Sequence, residues 1–197
     1  MINDLDKTLE ELLKKELPQE LVSQVTISFA TPNDQFPPSS VTLPAIDLFL
    51  YDLRENLDLR SNEWVVERHS NGTALRKRPP VRVECSYLIT AWPSESAPNP
   101  AQDEHHLLGE VMKVLLGYPT IPAGVLQGSL KRQKPPLPAI SLQPGRLQSM
   151  GEFWQALGGK PKAALNYSVT IAIEPFEAIE EPVIVEKIIA IKPDVKR

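Results

Sequence analysis

The sequence predicts an α+β domain, a mostly antiparallel sheet with two main helices packed on it. Three observations carry that prediction. Apolar residues alternate with polar ones at 25–29, 81–92 and 165–173, the period-two signature of strands. Two other stretches, 5–13 and 107–115, repeat their apolar residues at helical spacing. Most of the strands come as one run between the two helices rather than alternating with them, so a parallel α/β sheet is excluded.

In order along the chain, Leu5, Leu9, Leu12 and Leu13 define the first helix, with acids in its first turns and Lys14–Lys15 near its end. Asn3 or Asp4 can cap it and Pro18 stops it. "VSQVTISFATP" turns Val25, Ile27 and Phe29 inward as a strand, and "TPNDQFPPSSVTLP" follows as a proline-rich loop. "AIDLFLYDLREN" is apolar on both faces for several residues, which fits a strand in the sheet interior. "NEWVVERH" and "ALRKRPP" form a hairpin about "SNGT", with Asn71–Gly72 supplying the positive φ of a tight turn. "VRVECSYLITAW" places Val81, Val83, Cys85, Tyr87 and Ile89 on one face.

The loop "PSESAPNPAQ" precedes the second main helix, "AQDEHHLLGEVMKVLLG", whose apolar positions 107, 108, 111, 112, 114 and 115 make a broad buried face, with Gly117 at its C-cap. Residues 118–147 read as loop with one strand at "PAISLQ". A short helix through Phe153, Trp154 and Leu157 then breaks at "GGKP" before a strand alternating Leu165, Tyr167, Val169, Ile171 and Ile173.

Bulk composition bounds the function. At 197 residues the chain fits one large domain or one domain with extensions. Twenty prolines against nine glycines imply stiff, irregular connections. A formal charge of −4 argues against a general nucleic-acid binder, whose affinity rests on neutralising phosphates. The one cysteine, Cys85, excludes an internal disulfide and a cysteine-based zinc site. The first residues lack the apolar core of a signal peptide, and no run reaches the ~18–20 apolar residues of a membrane span. Synthesis and folding in the cytoplasm are expected.

Chemistry finds little purchase. "DEHH" at 103–106 is the one cluster of acids and histidines, yet successive helical residues point about 100° apart, so His105 and His106 cannot face one metal. A solvated helix N-terminus is the favoured reading, with a small metal-dependent enzyme as the rival. Cys85 alternates with valines and reads as a buried thiol. Ser129 in "LQGSLKR" lacks the second glycine of a nucleophile elbow, and "GGK" at 158–160 ends a helix instead of opening a phosphate loop. No cofactor, metal or catalytic residue is expected. The basic clusters Arg76–Lys77–Arg78 and Lys131–Arg132–Lys134 lack the interleaved aromatics of a single-strand nucleic-acid groove. The first of them lies on a hairpin arm, where a protein contact is open to it.

The C-terminal segment "EEPVIVEKIIAIKP" raises a different question. Val183, Val185, Ile188, Ile189 and Ile191 belong to a β-branched run that favours an extended strand. Unpaired, it would be an aggregation hazard. It can join its own sheet, or it can add to the sheet edge of a neighbouring subunit. A division into a 1–175 domain and a 176–197 extended arm is expected on this basis.

The stretches "PAIDLFLYDLREN", "VRVECSYLITAW", "EHHLLGEVMKVLL" and "FWQALGGKPKAALNYSVTIAIEP", in this order, resemble the domain of tail-terminator, or cap, proteins of phage-tail-like extracellular contractile injection systems. Virulence-cassette and antifeeding-prophage particles are such systems. The resemblance covers roughly residues 3–175 and is carried most distinctively by "LFLYDLREN" and by "FWQALGG" followed by "ALNYSVTI". It implies a fold similar to contractile-phage tail terminators and a non-enzymatic role. That role is a homo-oligomeric, sixfold ring that ends polymerisation of inner tube and sheath and links them at the distal end. A baseplate or sheath-connecting adaptor of the same particle is the nearest alternative.

Overall fold

The computed structural model describes residues 1–71, 73–134, 136–142 and 149–182. Helix α1 (Ile2–Glu16) is followed by the single turn α2 (Gln19–Val22) and strands β1 (Thr26–Ser28) and β2 (Ala45–Glu55). The hairpin β3 (Val65–Arg68) and β4 (Thr73–Lys77) precedes β5 (Val81–Trp92) and helix α3 (Pro100–Gly117). Strand β6 (Ala139–Ser141), helix α4 (Met150–Ala156), and strands β7 (Leu165–Ile173) and β8 (Ile179–Pro182) complete the order.

The strands form two sheets, β1-β2-β5-β7-β6 and β3-β4-β8. Every pairing is antiparallel except β1 with β2, so the α+β expectation holds. β5 occupies the centre of the large sheet, and nearly all of its residues are buried on both faces. Cys85, Tyr87 and Ile89 point to the side where Leu5, Leu9, Leu12 and Leu13 of α1 and Val111 and Leu115 of α3 close the main core. Burying side chains of this size contributes roughly 1.5–3 kcal/mol each. On the opposite side Phe153 of α4 lies 6.3 Å from Phe49 of β2, and Phe36 of the proline-rich loop stacks on Trp92 at 4.2 Å.

Polar bonds seat the outer elements. Tyr87 Oη donates to Asp6 Oδ1 at 2.8 Å, and Gln127 N–H donates to Thr8 Oγ1 at 2.9 Å, fixing α1 at two points. Asp47, buried in β2, accepts the Ala30 N–H at 2.9 Å and so starts the proline-rich loop. Gln133 reaches the β7 backbone, donating to Ala172 O at 2.6 Å and accepting its N–H at 2.9 Å. One side-chain amide thereby replaces a strand neighbour that β7 lacks there.

Three local expectations are corrected. Gly117 is the last residue of α3 and Tyr118 its cap, since Gly117 has no positive φ and serves simply as a helical residue. Asn71 has no positive φ either; among the described residues Leu142 is the one non-glycine that does. The register Arg68↔Ala74, continued by His69 N–H to Thr73 O at 2.9 Å, leaves a three-residue connection instead of a two-residue turn. Asn71 works through its side chain, whose Oδ1 accepts the N–H of Thr73. α1, finally, takes no side-chain cap from Asn3 or Asp4, because both lie inside it.

Candidate interaction surface

The small sheet stands apart from the core. Val65 and Val66 point to opposite faces of β3 yet are 49% and 51% exposed, and Ala74 is the one buried residue of the hairpin strands. Leu57, Trp64, Phe176 and Ile179 add further exposed apolar surface at this end of the molecule. An apolar grouping of this kind, rimmed by charge, is what protein contact surfaces carry. Among the described strands β3 is an edge of this sheet, where N–H and C=O groups can pair with a further strand.

The hairpin register explains how its basic residues are held. Val65 faces Lys77, so Trp64, one residue earlier, lies level with Arg78. Arg76 Cζ sits 4.7 Å from the Trp64 ring centroid and Arg78 Cζ sits 5.2 Å from it. Phe176 approaches Arg78 at 4.7 Å, so that guanidinium contacts two rings. β8 returns to pair with β4 and brings acids with it: Arg76 Nη1 is 3.3 Å from Glu181 Oε2, and Thr73 Oγ1 donates to Glu180 Oε1 at 2.7 Å. Lys77 Nζ is 2.6 Å from Glu174 Oε2. These ion pairs are solvent-exposed and each contributes about 0–1 kcal/mol, so they set side-chain positions more than stability. Arg76 and Arg78 therefore form one ordered basic strip on the Trp64 side of the hairpin, with Lys77 on the opposite face. Val183, Val185, Ile188, Ile189 and Ile191 lie outside the described residues.

Sequence reasoning singled out the arginines but missed Trp64, Phe176 and Glu181, which determine how they are presented. Trp64 was accessible from the hairpin register alone. Phe176 and Glu181 were not, because they arrive with β8 and the connection before it, about a hundred residues away in sequence, a non-local pairing that no local pattern announces.

The other reactive side chains are placed plainly. Cys85 is in the core, and burial pushes its thiol up to about 12. The Ser129 hydroxyl donates to Asp4 Oδ2 at 2.6 Å. His105 lines a cleft of about 630 Å³ between α3 and the loop after α4, while His106 lines a different one. In the first cleft the ammonium of Lys162 lies 4.5 Å over the Trp92 ring and pairs with Glu104, with both charges largely buried. Among the described residues no three His, Cys, Asp or Glu side chains converge as a metal site would require. No helix among them is long and apolar enough to cross a membrane.

Comparison with known proteins agrees with this architecture. Among solved structures, the chain is similar to the sheath/tube terminator of PVC, an extracellular contractile injection system, in its extended state. The identity is 25% and the TM-score 0.69, covering 100% of this chain and 65% of that one. It is also similar to the tube-terminating cap of the anti-feeding prophage, at 25% identity and TM-score 0.65, covering 96% of this chain and 61% of that one. The chain thus spans somewhat less than two thirds of either terminator's length. No curated protein matches the sequence. The model of the Pvc16 N-terminal domain matches residues 4–186, which takes in β1–β8 and, but for the first residues of α1, the helices α1–α4, and the chain belongs to that family.

Proposed function

We propose that this chain is a structural terminator of a contractile injection system. It forms a homo-oligomeric ring, sixfold like the tube it closes, at the distal end of inner tube and sheath. The observation that carries this reading is the likeness to the PVC sheath/tube terminator over the whole of the chain, at 25% identity. A stack of identical rings presents a self-complementary face at its growing end, so its growth has no intrinsic stop. A ring that matches that face on one side and differs on the other ends the growth. Contact with both tube and sheath then keeps the far end joined when the sheath contracts. Interface area and charge matching suffice, and no catalytic step or cofactor is needed.

The hairpin sheet, with Arg76, Lys77 and Arg78, is one contact surface in this reading. The arm 176–197 is the second: its first part returns to β4 as β8, and Val183, Val185, Ile188, Ile189 and Ile191 beyond it add as a strand to a neighbouring subunit. Synthesis is cytoplasmic, and the finished protein resides in the particle. Negative-stain images of particles made without the protein test the reading. Overlong or ragged tails are the expected result. Missing tails would instead make the chain an initiating, baseplate-side component.

A further inference from the structure

Next to the basic strip, three arginines converge on one cleft of about 430 Å³. Arg60 comes from the connection after β2, Arg78 from the end of β4 and Arg82 from β5, while Trp64 and Phe176 supply apolar walls. Each guanidinium is held differently. Arg60 Nε lies 3.4 Å from Glu55 Oε1 in an exposed pair. Arg78 rests against both aromatic rings and, among the described residues, has no ion-pair partner, so its in-plane N–H groups are uncommitted. Arg82 is only 7% exposed, and its Nε is sealed from water with no hydrogen-bond acceptor among the described residues.

Such burial is costly for a side chain that stays charged at any ordinary pH, and buried arginines are as a rule paired. Here three arginines and, among the described residues, one carboxylate, that of Glu55, line the cleft, in a chain whose net charge is −4. The cleft is opposite in sign to the molecule around it.

We infer that this cleft receives an acidic peptide segment of a partner chain, with an Asp or Glu carboxylate seated against Arg78 and drawn by the buried charge of Arg82 behind it. The inference rests on the proposed contact role of the hairpin and names the chemistry of the partner there. A guanidinium fork matches a carboxylate in two parallel hydrogen bonds. The rings hold Arg78 in place beforehand, so less side-chain freedom is lost on binding. A peptide fits better than a free phosphate. Phosphate cradles are built from backbone N–H groups, whereas Pro79 and Pro80 in this lining have none to offer, and the aromatic walls suit the aliphatic stem of an acidic residue.

The test titrates the full chain with acetyl-Ala-Glu-Glu-Ala-amide, its glutamine counterpart and inorganic phosphate. Binding is followed by the Arg82 Nε–H resonance and by tryptophan fluorescence. A saturable shift with the glutamate peptide, at least about tenfold weaker with the glutamine one, is expected. R82Q and R78Q should each weaken binding about tenfold, and K131Q, an exposed residue that is not in the cleft lining, should leave it unchanged. R78Q alters an exposed side chain, so its result stands even if R82Q folds poorly. Equal binding of the two peptides, an R78Q protein that binds normally, or phosphate binding without peptide binding would each overturn the inference. The capping role is read separately: overlong tails without the protein uphold it even where the peptide fails to bind, and normal tails refute it even where the peptide binds.

Discussion

Asp4 Oδ2 accepts both the N–H of Ser129, at 3.0 Å, and its Oγ–H, at 2.6 Å, joining the first turn of α1 to a 3-10 turn 125 residues further on. Those donors hold the Asp4 carboxyl well below its ordinary range, at about 2. The geometry depends on Gly128, whose φ of +52° turns the Ser129 N–H toward the carboxylate. A Cβ at position 128 would lie 2.3 Å from Asp4 Oδ1.

Gly128→Ala therefore meets two obstacles, a left-handed backbone and a clash with the carboxylate. It should cost about 1–3 kcal/mol in urea unfolding. Asp4→Ala removes the clashing atoms, so the double variant should lose less than the sum of the two single losses. Strict additivity would mean that the two sites do not share this contact. Because the Asp4 pKa is depressed on folding, its stabilising contribution is complete above about 4 and disappears as the pH falls through about 2.

Asp47 behaves in the opposite sense. Burial raises its carboxyl to about 6, against the pull of hydrogen bonds from Ser28 and the Ala30 N–H. The folded protein thus takes up this proton more readily than the unfolded chain. The group favours folding most below its ordinary pKa and progressively less as the pH rises through about 6. The span corresponds to at most roughly 3 kcal/mol. Asp47→Asn does not titrate, so it should gain on the native protein by about 1–3 kcal/mol between pH 4 and pH 7. Urea midpoints at four pH values measure the difference, and parallel curves would show that residue 47 carries no buried charge.

The legible parts of the fold were those written in local period. The leucines of α1, the alternation of β5 and β7, and the Asn71 hairpin all have partners that any sheet or helix of their pattern would find. Illegible were the features made by distant partners. Nothing in "GSLKR" announces that Ser129 caps a bond to Asp4, and nothing in "FEAIEE" announces that Ile179–Pro182 pairs with β4. The interaction surface divides in the same way. Arg76–Arg78 stood out by charge alone. Arg82 was hidden because in "VRVECSYL" it occupies the polar phase of an amphipathic strand, where solvent exposure is the usual outcome.

Trp64 presents Arg76 and Arg78 from outside the core, so Trp64→Ala separates contact from stability. Loss of both cation–π contacts should lower stability by no more than about 1–2 kcal/mol. Co-sedimentation with sheath-and-tube particles should nevertheless fall sharply. Retained co-sedimentation would remove the hairpin from the contact surface.

Two truncations divide the roles of the C-terminal region. The main core is complete by Ile173, the end of β7, so deletion of 176–197 should leave a cooperative unfolding transition close to that of the full chain. It removes β8, however, and with it the Glu181 partner of Arg76 and the Phe176 wall beside Arg78. Amide hydrogen exchange in β4 should therefore quicken while that in β5 stays protected. Deletion of 183–197 alone spares β8 and should leave β4 exchange unchanged. Both truncations should fail to cap tails if the β-branched arm makes a contact of its own. Capping that survives the shorter deletion and is lost with the longer one would assign the contact to β8 and the hairpin sheet, leaving Val183 to Ile191 without a part in it.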